Sequence, residues 1–234
     1  MRIRVTKRES ALSKALSRRL DGLGLGLTRV VAVVGIVGFL FSEAACASPA
    51  ALDLTITVRV YNYTQAPPTI LARAEREAGR IFGDAGLKVL WLDCMPGSST
   101  QQDPCQEAIE SADIRLRILL APVRNNLQDS VFGFAIAPAL ATVYYESALG
   151  FAKYDQAEFE APIVLGCAIA HEIGHLLLGP NRHSVSGIMR ARWDRRDIRE
   201  ELQGAMLFTP QQARLMQAEM QRRITLLQAK YRPI

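Results

Sequence analysis

The sequence predicts one α/β domain with a twisted, mixed and mostly parallel β-sheet, a buried helix and a C-terminal helix. Three observations predict it. Short segments rich in β-branched and aromatic residues alternate with helical patterns along the chain. Residues 161–179 form a helical segment that is apolar on nearly every side, so it belongs in a core. Hydrophobic residues make up 49% of the 234 residues, enough for a packed core.

The first part of the domain has the pattern strand, helix, strand. Residues 52–63 (LDLTITVRVYNY) alternate apolar and polar side chains, which is typical of a strand, and a proline pair ends it. Residues 68–87 place apolar side chains near helical spacing, with arginine and glutamate on the other face. Residues 88–93 (KVLWLD) follow as a short strand.

The rest of the domain adds three strands and two helices. Residues 112–122 place isoleucine and leucine on one face of a strand, and residues 131–137 and 141–147 predict two more strands. A long helix is predicted over about 156–178 and a C-terminal helix over 209–231. The order β-α-β-β-β-β-α-α favours a single, mostly parallel sheet.

Both late helices carry end signals. Gly179 can adopt the left-handed cap conformation, and Pro180 cannot continue the helix. Thr209 is a suitable N-cap, and Pro210 suits the first helical position. The C-terminal helix has an apolar stripe that favours core packing over a cofactor site: Leu215, Met216, Met220, Ile224 and Leu227.

Residues 1–47 are predicted to be a signal peptide. A basic segment precedes a 12-residue apolar run at 30–41, and Ala45-Cys46-Ala47 offers a small-x-small cleavage site. The run is short for a membrane span, which needs about 20 residues. An uncleaved N-terminal anchor is the alternative. We therefore expect a secreted or periplasmic protein whose single catalytic domain, residues 48–234, has no stable membrane insertion after leader cleavage.

The leader also explains the formal net charge of +5, because residues 48–234 contain 20 basic and 20 acidic residues. A neutral mature chain predicts no nucleic-acid partner. Among the cysteines, Cys94 and Cys105 flank a polar loop and are predicted to form a disulfide in an oxidising compartment. Cys167 lies in the apolar helix, where it is either a small buried hydrophobic residue, the favoured interpretation, or a fourth metal ligand.

All three histidines of the chain lie within the segment HEIGHLLLGPNRH, at His171, His175 and His183. His171 and His175 are four residues apart on the predicted helix, so they project from one face at a separation suited to metal ligands. Glu172 is rotated by about 100° from His171, which suits a carboxylate that takes a proton from water at a metal. Three protein ligands and one water are typical of a catalytic zinc site.

His183 is the natural third ligand, because four residues after the turn can span roughly 13 Å and return to the metal. Acidic residues further along the chain are the alternatives, and we favour a surface location for them: Asp194, Glu200 and Glu201. The alternative to metal binding is a set of core histidines with ordinary partners. This alternative is disfavoured because imidazoles buried in an apolar helix would lack hydrogen-bond partners if no metal bound them.

At these residues the sequence resembles the metzincin clan of zinc metallopeptidases, whose pattern is H-E-x-x-H-x-x-G-x-x-H followed by a Met-turn. Here there is one extra residue on each side of Gly179, and Gly187-Ile188-Met189 follows, as in a divergent, compact relative. The resemblance implies that the three histidines bind zinc, that Glu172 is the general base and acid, that Gly179 makes the turn, and that Met189 lies beneath the metal. It also implies a metzincin-like fold with an active-site helix, in which residues 131–137 form an antiparallel edge strand that binds peptide substrate.

The sequence thus predicts an exported zinc endopeptidase acting on peptide or protein substrates. Two alternatives stay open: a zinc-stabilised binding or scaffold domain without turnover, for example with Cys167 filling the water position, and a zinc hydrolase of a non-peptide amide. Tyr144 and Tyr145 are candidates for the oxyanion-stabilising group by residue type alone. Substrate specificity, oligomeric state, export route and biological role are not encoded in any pattern that we can interpret.

Overall fold

A computed structural model describes residues 53–94, 104–121, 132–154, 161–180 and 182–232. These residues form a five-stranded sheet with the strand order β2-β1-β3-β5-β4. The strands are β1 (Thr55–Asn62), β2 (Lys88–Cys94), β3 (Asp113–Leu119), β4 (Gly133–Ile136) and β5 (Leu140–Tyr144). The predicted signal peptide lies outside the described residues, so that prediction stays untested.

The sheet is mostly parallel, as predicted. The pairs β1–β2, β1–β3 and β3–β5 are parallel, and β4 pairs with β5 in the antiparallel direction. This arrangement leaves β4 at one edge of the sheet, where the sequence placed an antiparallel edge strand. The predicted α/β fold class is confirmed.

Five helices accompany the sheet in the described part of the chain. They are α1 (Pro68–Asp84), α2 (Tyr145–Tyr154), α3 (Ala161–Leu178), α4 (Arg195–Leu202) and α5 (Pro210–Lys230). A short 3-10 helix at Pro104–Gln106 follows the predicted disulfide loop. A disulfide joins Cys94 and Cys105, as predicted.

Helix α3 is the central element of the core. It packs against α1, α2 and the inner face of β5, and 78% of its residues are buried. Among the described residues, α3 is the one helix that is long and apolar enough to span a membrane. Its burial within the domain is that of a core helix. Its apolar character therefore reflects contacts on all sides, as predicted from the sequence.

Several predicted elements have different bounds in the structure, among them β5 and α1. β5 ends at Tyr144 and α2 begins at Tyr145, so the strand predicted over 141–147 is wrong in its last three residues. Valine and tyrosine favour strands locally, but the packing of α2 against α3 decides the conformation. Helix α1 ends at Asp84 rather than Leu87, because Gly86 adopts a φ of 75°.

The C-terminal helix begins as predicted, with Thr209 as N-cap and Pro210 at its first position. The Thr209 hydroxyl accepts a hydrogen bond from the Gln212 amide, and the Thr209 amide donates one to the Gln212 side-chain oxygen. The predicted stripe is only partly a core stripe. Met216 and Met220 are fully buried, whereas Leu215 is 46% exposed.

Candidate metal centre and active site

The second half of α3 carries two of the three histidines and the glutamate. His171 and His175 lie one helical turn apart, and their Nε2 atoms are 3.1 Å apart. Glu172 lies between them in sequence and is 5% exposed. The helix thus presents two imidazoles and one carboxyl group in the same region, as its periodicity predicted.

A turn after α3 brings the third histidine back. Gly179 has a φ of 96°, and its amide donates a hydrogen bond to the His175 carbonyl at 3.0 Å. Beyond the turn, the Ser184 amide donates to the Met189 carbonyl at 2.8 Å. This bond fixes the residue next to His183 onto the segment that contains Met189. The predicted turn at Gly179 is therefore present, despite the one extra residue on each side of this glycine.

The three imidazoles converge. One nitrogen from each of His171, His175 and His183 lies within 4.8 Å of the others. The ring of His183 is 5.5 Å from that of His171 and 4.8 Å from that of His175, measured between centroids. The structure therefore brings together the three residues that the sequence singled out as ligands.

This donor set fits a zinc ion. In a tetrahedral site with Zn–N bonds near 2.1 Å, ligand nitrogens are about 3.4 Å apart. The observed separation of 3.1 Å between His171 and His175 is close to that value. Nδ1 of His171 lies 2.8 Å from the Ile188 carbonyl oxygen, so Nδ1 donates its proton there and Nε2 keeps its lone pair for a metal.

Burial favours the neutral form of the His171 and His175 imidazoles, which is the form that metal ligation requires. It lowers the pKa of His171 to about 4, and the neighbouring His175 and His183 add to the shift while the bond to Ile188 opposes it. Burial, followed by the proximity of His183, also lowers the pKa of His175. In both rings the lowered pKa reduces the competition between a proton and a metal.

Glu172 is buried against the edge strand. Burial raises the pKa of its carboxyl group to about 8, a shift that a cation held by the three imidazoles would oppose. A Cβ atom at Gly133 of β4 would lie 2.9 Å from Cγ of Glu172 and 2.2 Å from the Thr142 carbonyl oxygen. Only glycine at position 133 therefore allows β4 to approach this carboxyl group.

A pocket of about 400 Å³ opens in front of the imidazoles and Glu172. One wall is formed by β4 with Phe132, and the other by residues 190–193. The ring of Trp193 is 5.0 Å from that of Phe132 and 5.5 Å from that of His171, while its indole nitrogen donates to the Ile188 carbonyl at 3.3 Å. The carbonyl of Ile188 thus orients both a predicted ligand and the aromatic wall beside it.

A buried arginine connects the two sides of this pocket. Nη2 of Arg223 on α5 donates to the Leu176 carbonyl at 2.7 Å and to the Pro138 carbonyl at 3.2 Å. Leu176 belongs to the histidine-bearing helix, and Pro138 lies in the turn between β4 and β5. The Glu219 carboxylate pairs with Nε of Arg223 and neutralises the guanidinium. The last helix therefore holds the edge strand and the ligand helix in one register.

Met189 is fully buried beneath α3. A Cβ atom at Gly174 would lie 2.7 Å from the Met189 sulfur, so this glycine allows the sulfur to approach the helix between the two ligand positions. The location agrees with the floor implied by the family resemblance. Its effect on the metal stays a prediction.

The alternative third ligands lie elsewhere. Asp194 caps α4 by accepting bonds from the Arg196 and Asp197 amides. Glu200 is exposed and pairs with Arg196, as expected for a surface residue. The predicted surface location is wrong for Glu201, which is 3% exposed and contacts Arg80.

Cys167 is completely buried, with 0% of its surface accessible to solvent. Its sulfur is not part of the group of donor atoms that could share an ion. Burial, followed by the nearby carboxylates of Glu201 and Glu77, raises the pKa of its thiol. The interpretation as a small buried hydrophobic residue is the one that this environment supports. Of the two tyrosines named by type, Tyr144 is buried close to Glu172, whose charge raises the pKa of the phenol less than burial does.

Sequence reasoning missed four participants: Gly133, the Ile188 carbonyl, Trp193 and Arg223. A glycine within a strand is a recognised sign of close backbone approach, so Gly133 could have been found. The other three depend on contacts between distant segments. No local pattern identifies them.

No protein-family model matches the chain, and no curated protein matches it. Fourteen chains of solved structures are similar to it in part. A zinc-dependent peptidase from Methanocorpusculum labreanum (strain Z) has 15% identity and a TM-score of 0.48, covering 68% of this chain and 99% of that one. Archaemetzincin from Methanopyrus kandleri has 17% identity and a TM-score of 0.46, covering 72% of this chain and 97% of that one. At these values neither likeness assigns an activity to this chain.

Proposed function

We propose that this protein is an exported zinc-dependent endopeptidase in which His171, His175 and His183 hold the metal. The observation that carries the proposal is the convergence of all three imidazoles beside a buried carboxyl group in one open pocket. A purely structural zinc site is usually closed by four protein ligands. Three ligands beside an open pocket favour catalysis.

Zinc, when bound, would polarise the scissile carbonyl and lower the pKa of water towards about 7. The residues of the chain supply the remaining steps. Glu172 accepts the proton of the attacking water and passes it to the leaving amine. The bond from His171 to the Ile188 carbonyl keeps its imidazole in the tautomer that leaves Nε2 available.

The edge strand favours a peptide as substrate. β4 pairs with β5 along one side, and its other side has no neighbouring strand in the described residues. An extended peptide can therefore add to β4 through main-chain hydrogen bonds. Gly133 on this strand contacts Glu172, so a peptide aligned along β4 passes the general base.

Two alternatives deserve a test. A zinc-stabilised binding domain requires a blocked site, but the Cys167 sulfur is not among the donor atoms that could share an ion, and the pocket in front of the imidazoles is open. A hydrolase of a non-peptide amide would use the same ligands and the same general base. The edge strand is the feature that favours the endopeptidase over it.

Export is supported by the predicted leader and by the Cys94–Cys105 disulfide, because such bonds persist in oxidising compartments. We propose a secreted or periplasmic location for the mature chain. N-terminal sequencing of the exported protein tests this location. A chain that begins near residue 48 supports cleavage of the leader, and an intact Met1 supports an uncleaved anchor.

The decisive experiment separates zinc binding from hydrolysis. Glu172→Gln should retain one zinc per chain and lose about 100-fold or more of the rate on a denatured protein. The matched control is Glu200→Gln, the same change at an exposed helical glutamate, which should keep both properties. His183→Ala should lose zinc.

Each alternative predicts another result. Full activity in Glu172→Gln would place the general base elsewhere. Zinc binding by a wild-type protein that cleaves nothing in a broad peptide library would favour the binding domain. Cleavage of a small amide substrate, but of no peptide, would favour the non-peptide hydrolase.

A further inference from the structure

The outer face of the sheet, opposite α1 and α3, carries two arginines without a carboxylate partner. Arg115 and Arg117 alternate along β3 with residues whose side chains lie in the core, so both point to this outer face. The core residues are Ile114, Leu116 and Ile118. In the described part of the chain, neither guanidinium forms an ion pair.

A third arginine on the same face has the carboxylate partner that these two lack in the described residues. Arg59 of β1 lies beside Arg115 in register, and it is 3% exposed. It forms a 2.7 Å ion pair with Asp113 and donates to the Ala108 carbonyl at 3.0 Å. Arg117, which is half-buried, instead donates to the hydroxyl of Thr142, at 3.1 and 3.3 Å.

These two arginines lie in a pocket of about 430 Å³. Tyr61 and Tyr63 at the end of β1 form one wall. The guanidinium of Arg115 is 5.9 Å from the centre of the Tyr61 ring, and the Tyr61 hydroxyl donates to the Cys105 carbonyl at 3.1 Å. The aromatic wall is thereby fixed in place beside the two positive charges.

The charges of the pocket are unequal. Arg115 and Arg117 contribute two positive charges and Glu107 one negative charge at the rim. Guanidinium groups on a rigid strand match the oxygens of a carboxylate or phosphate. The half-buried position of Arg117 reduces the competition from water for such a ligand.

We propose that this outer-face pocket binds a small oxyanion-bearing ligand, a carboxylate or a phosphate, through Arg115 and Arg117. The pocket lies on the sheet face opposite the histidine-bearing helix, and the proposal does not depend on the peptidase function. Tyr61 and Tyr63 would contact the apolar body of the ligand. Glu107 would disfavour ligands with several negative charges.

The test is calorimetric titration of the zinc-loaded full chain with inorganic phosphate and, separately, with benzoate. Saturable binding of phosphate alone identifies a phosphate site, and binding of benzoate alone identifies a carboxylate site. Arg115→Gln and Arg117→Gln should each weaken binding by about tenfold. Glu107→Gln should tighten it, because the change removes the opposing charge.

Arg73→Gln is the matched control, because Arg73 is an exposed arginine on α1 and the change removes the same charge. It should leave binding unchanged. If Arg117→Gln does not fold, the exposed Arg115 variant carries the test. The proposal would be overturned if Arg73→Gln weakened binding as much as the other arginine variants. It would also be overturned if neither probe showed saturable binding. Binding that disappears when zinc is removed but persists in Arg115→Gln would overturn it as well, because the probe would then bind at the metal.

Discussion

The two halves of helix α3 perform different tasks with the same backbone. In residues 161–170 almost every side chain is buried and none is charged, and a Cβ atom at Gly166 would lie 2.7 Å from the Ala74 carbonyl oxygen. In residues 171–178 the helix carries two imidazoles and a carboxyl group towards an open pocket. The first half anchors the helix by close backbone packing, and the second half uses that anchorage to hold polar groups in place.

The difference shows how a polar site can exist on an apolar core helix. In the second half, Nδ1 of His171 donates to the Ile188 carbonyl, whereas Nδ1 of His175 is buried without a hydrogen-bond partner in the described residues. The first half has no polar side chain to satisfy. We therefore expect substitutions in the first half to change stability and those in the second half to change metal binding.

The largest expected effect is that of Gly166→Ala. Its Cβ would meet the Ala74 carbonyl and Cβ of Glu77, both at 2.7 Å, so α1 and α3 must separate. The gain in helix propensity, about 1 kcal/mol, is smaller than the loss from overpacking. We expect a net loss of about 2 kcal/mol in the free energy of unfolding, measured by urea denaturation, with full zinc content in the folded protein.

Gly174→Ala makes the same change in the second half. Its Cβ would meet the Met189 sulfur at 2.7 Å and Cε1 of Phe208 at 2.9 Å, but both atoms lie towards the ends of side chains, which can shift more easily than backbone. We expect stability within about 1 kcal/mol of wild type and a zinc affinity reduced by about tenfold, measured by competition with a chelator. A zinc affinity equal to that of wild type, or a larger loss of stability than in Gly166→Ala, would remove the distinction between the halves.

Cys167→Ala tests whether the first half is free of metal chemistry. The thiol is fully buried on the packed side of α3, so its removal should reduce stability by about 1 kcal/mol. Zinc content and hydrolysis should be unchanged. A lower zinc affinity in this variant would restore the interpretation of Cys167 as a ligand.

The smallest expected effect is a pH dependence of the free energy of unfolding. It arises on α1, the helix that packs against the first half of α3. Burial, followed by the proximity of Asp93, raises the pKa of Glu75 on α1 from 4.5 to about 7. Between these values the folded protein binds more protons at this carboxyl group than the unfolded chain, so stability falls as the pH rises.

Glu75→Gln should remove this fall without affecting zinc binding. Because the carboxyl group is partly exposed, solvent screening reduces the effect to about 1 kcal/mol at most. Urea denaturation of wild type and variant at both ends of the pH window measures it. Parallel stability curves would show that Glu75 does not titrate in this range.

The sequence predicted those parts of the fold and site whose signals are local. Helix α3 and the caps of α5 followed from periodicity and end signals, and the position of β4 at the edge followed from the family resemblance. The convergence of His171 and His175 followed from their spacing. These features depend on residues within one or two turns of one another.

The features that the sequence did not predict depend on distant contacts. Helix α4 was interpreted as charged surface, although Asp194 and Asp197 form a capping box that could have predicted it. Leu215 fitted the apolar stripe by spacing, but nothing covers its side of α5 in the described residues, where it is 46% exposed. The position of His183 depends on the bond from the Ser184 amide to the Met189 carbonyl, which no spacing rule fixes.

The contacts of Arg223 have a consequence for the timing of synthesis. The Leu176 and Pro138 carbonyls on the two sides of the pocket share a donor that is translated 47 and 85 residues later. A nascent chain can therefore form α3 and the edge strand before it contains the side chain that joins these two carbonyls. That link forms only after the last helix has left the ribosome.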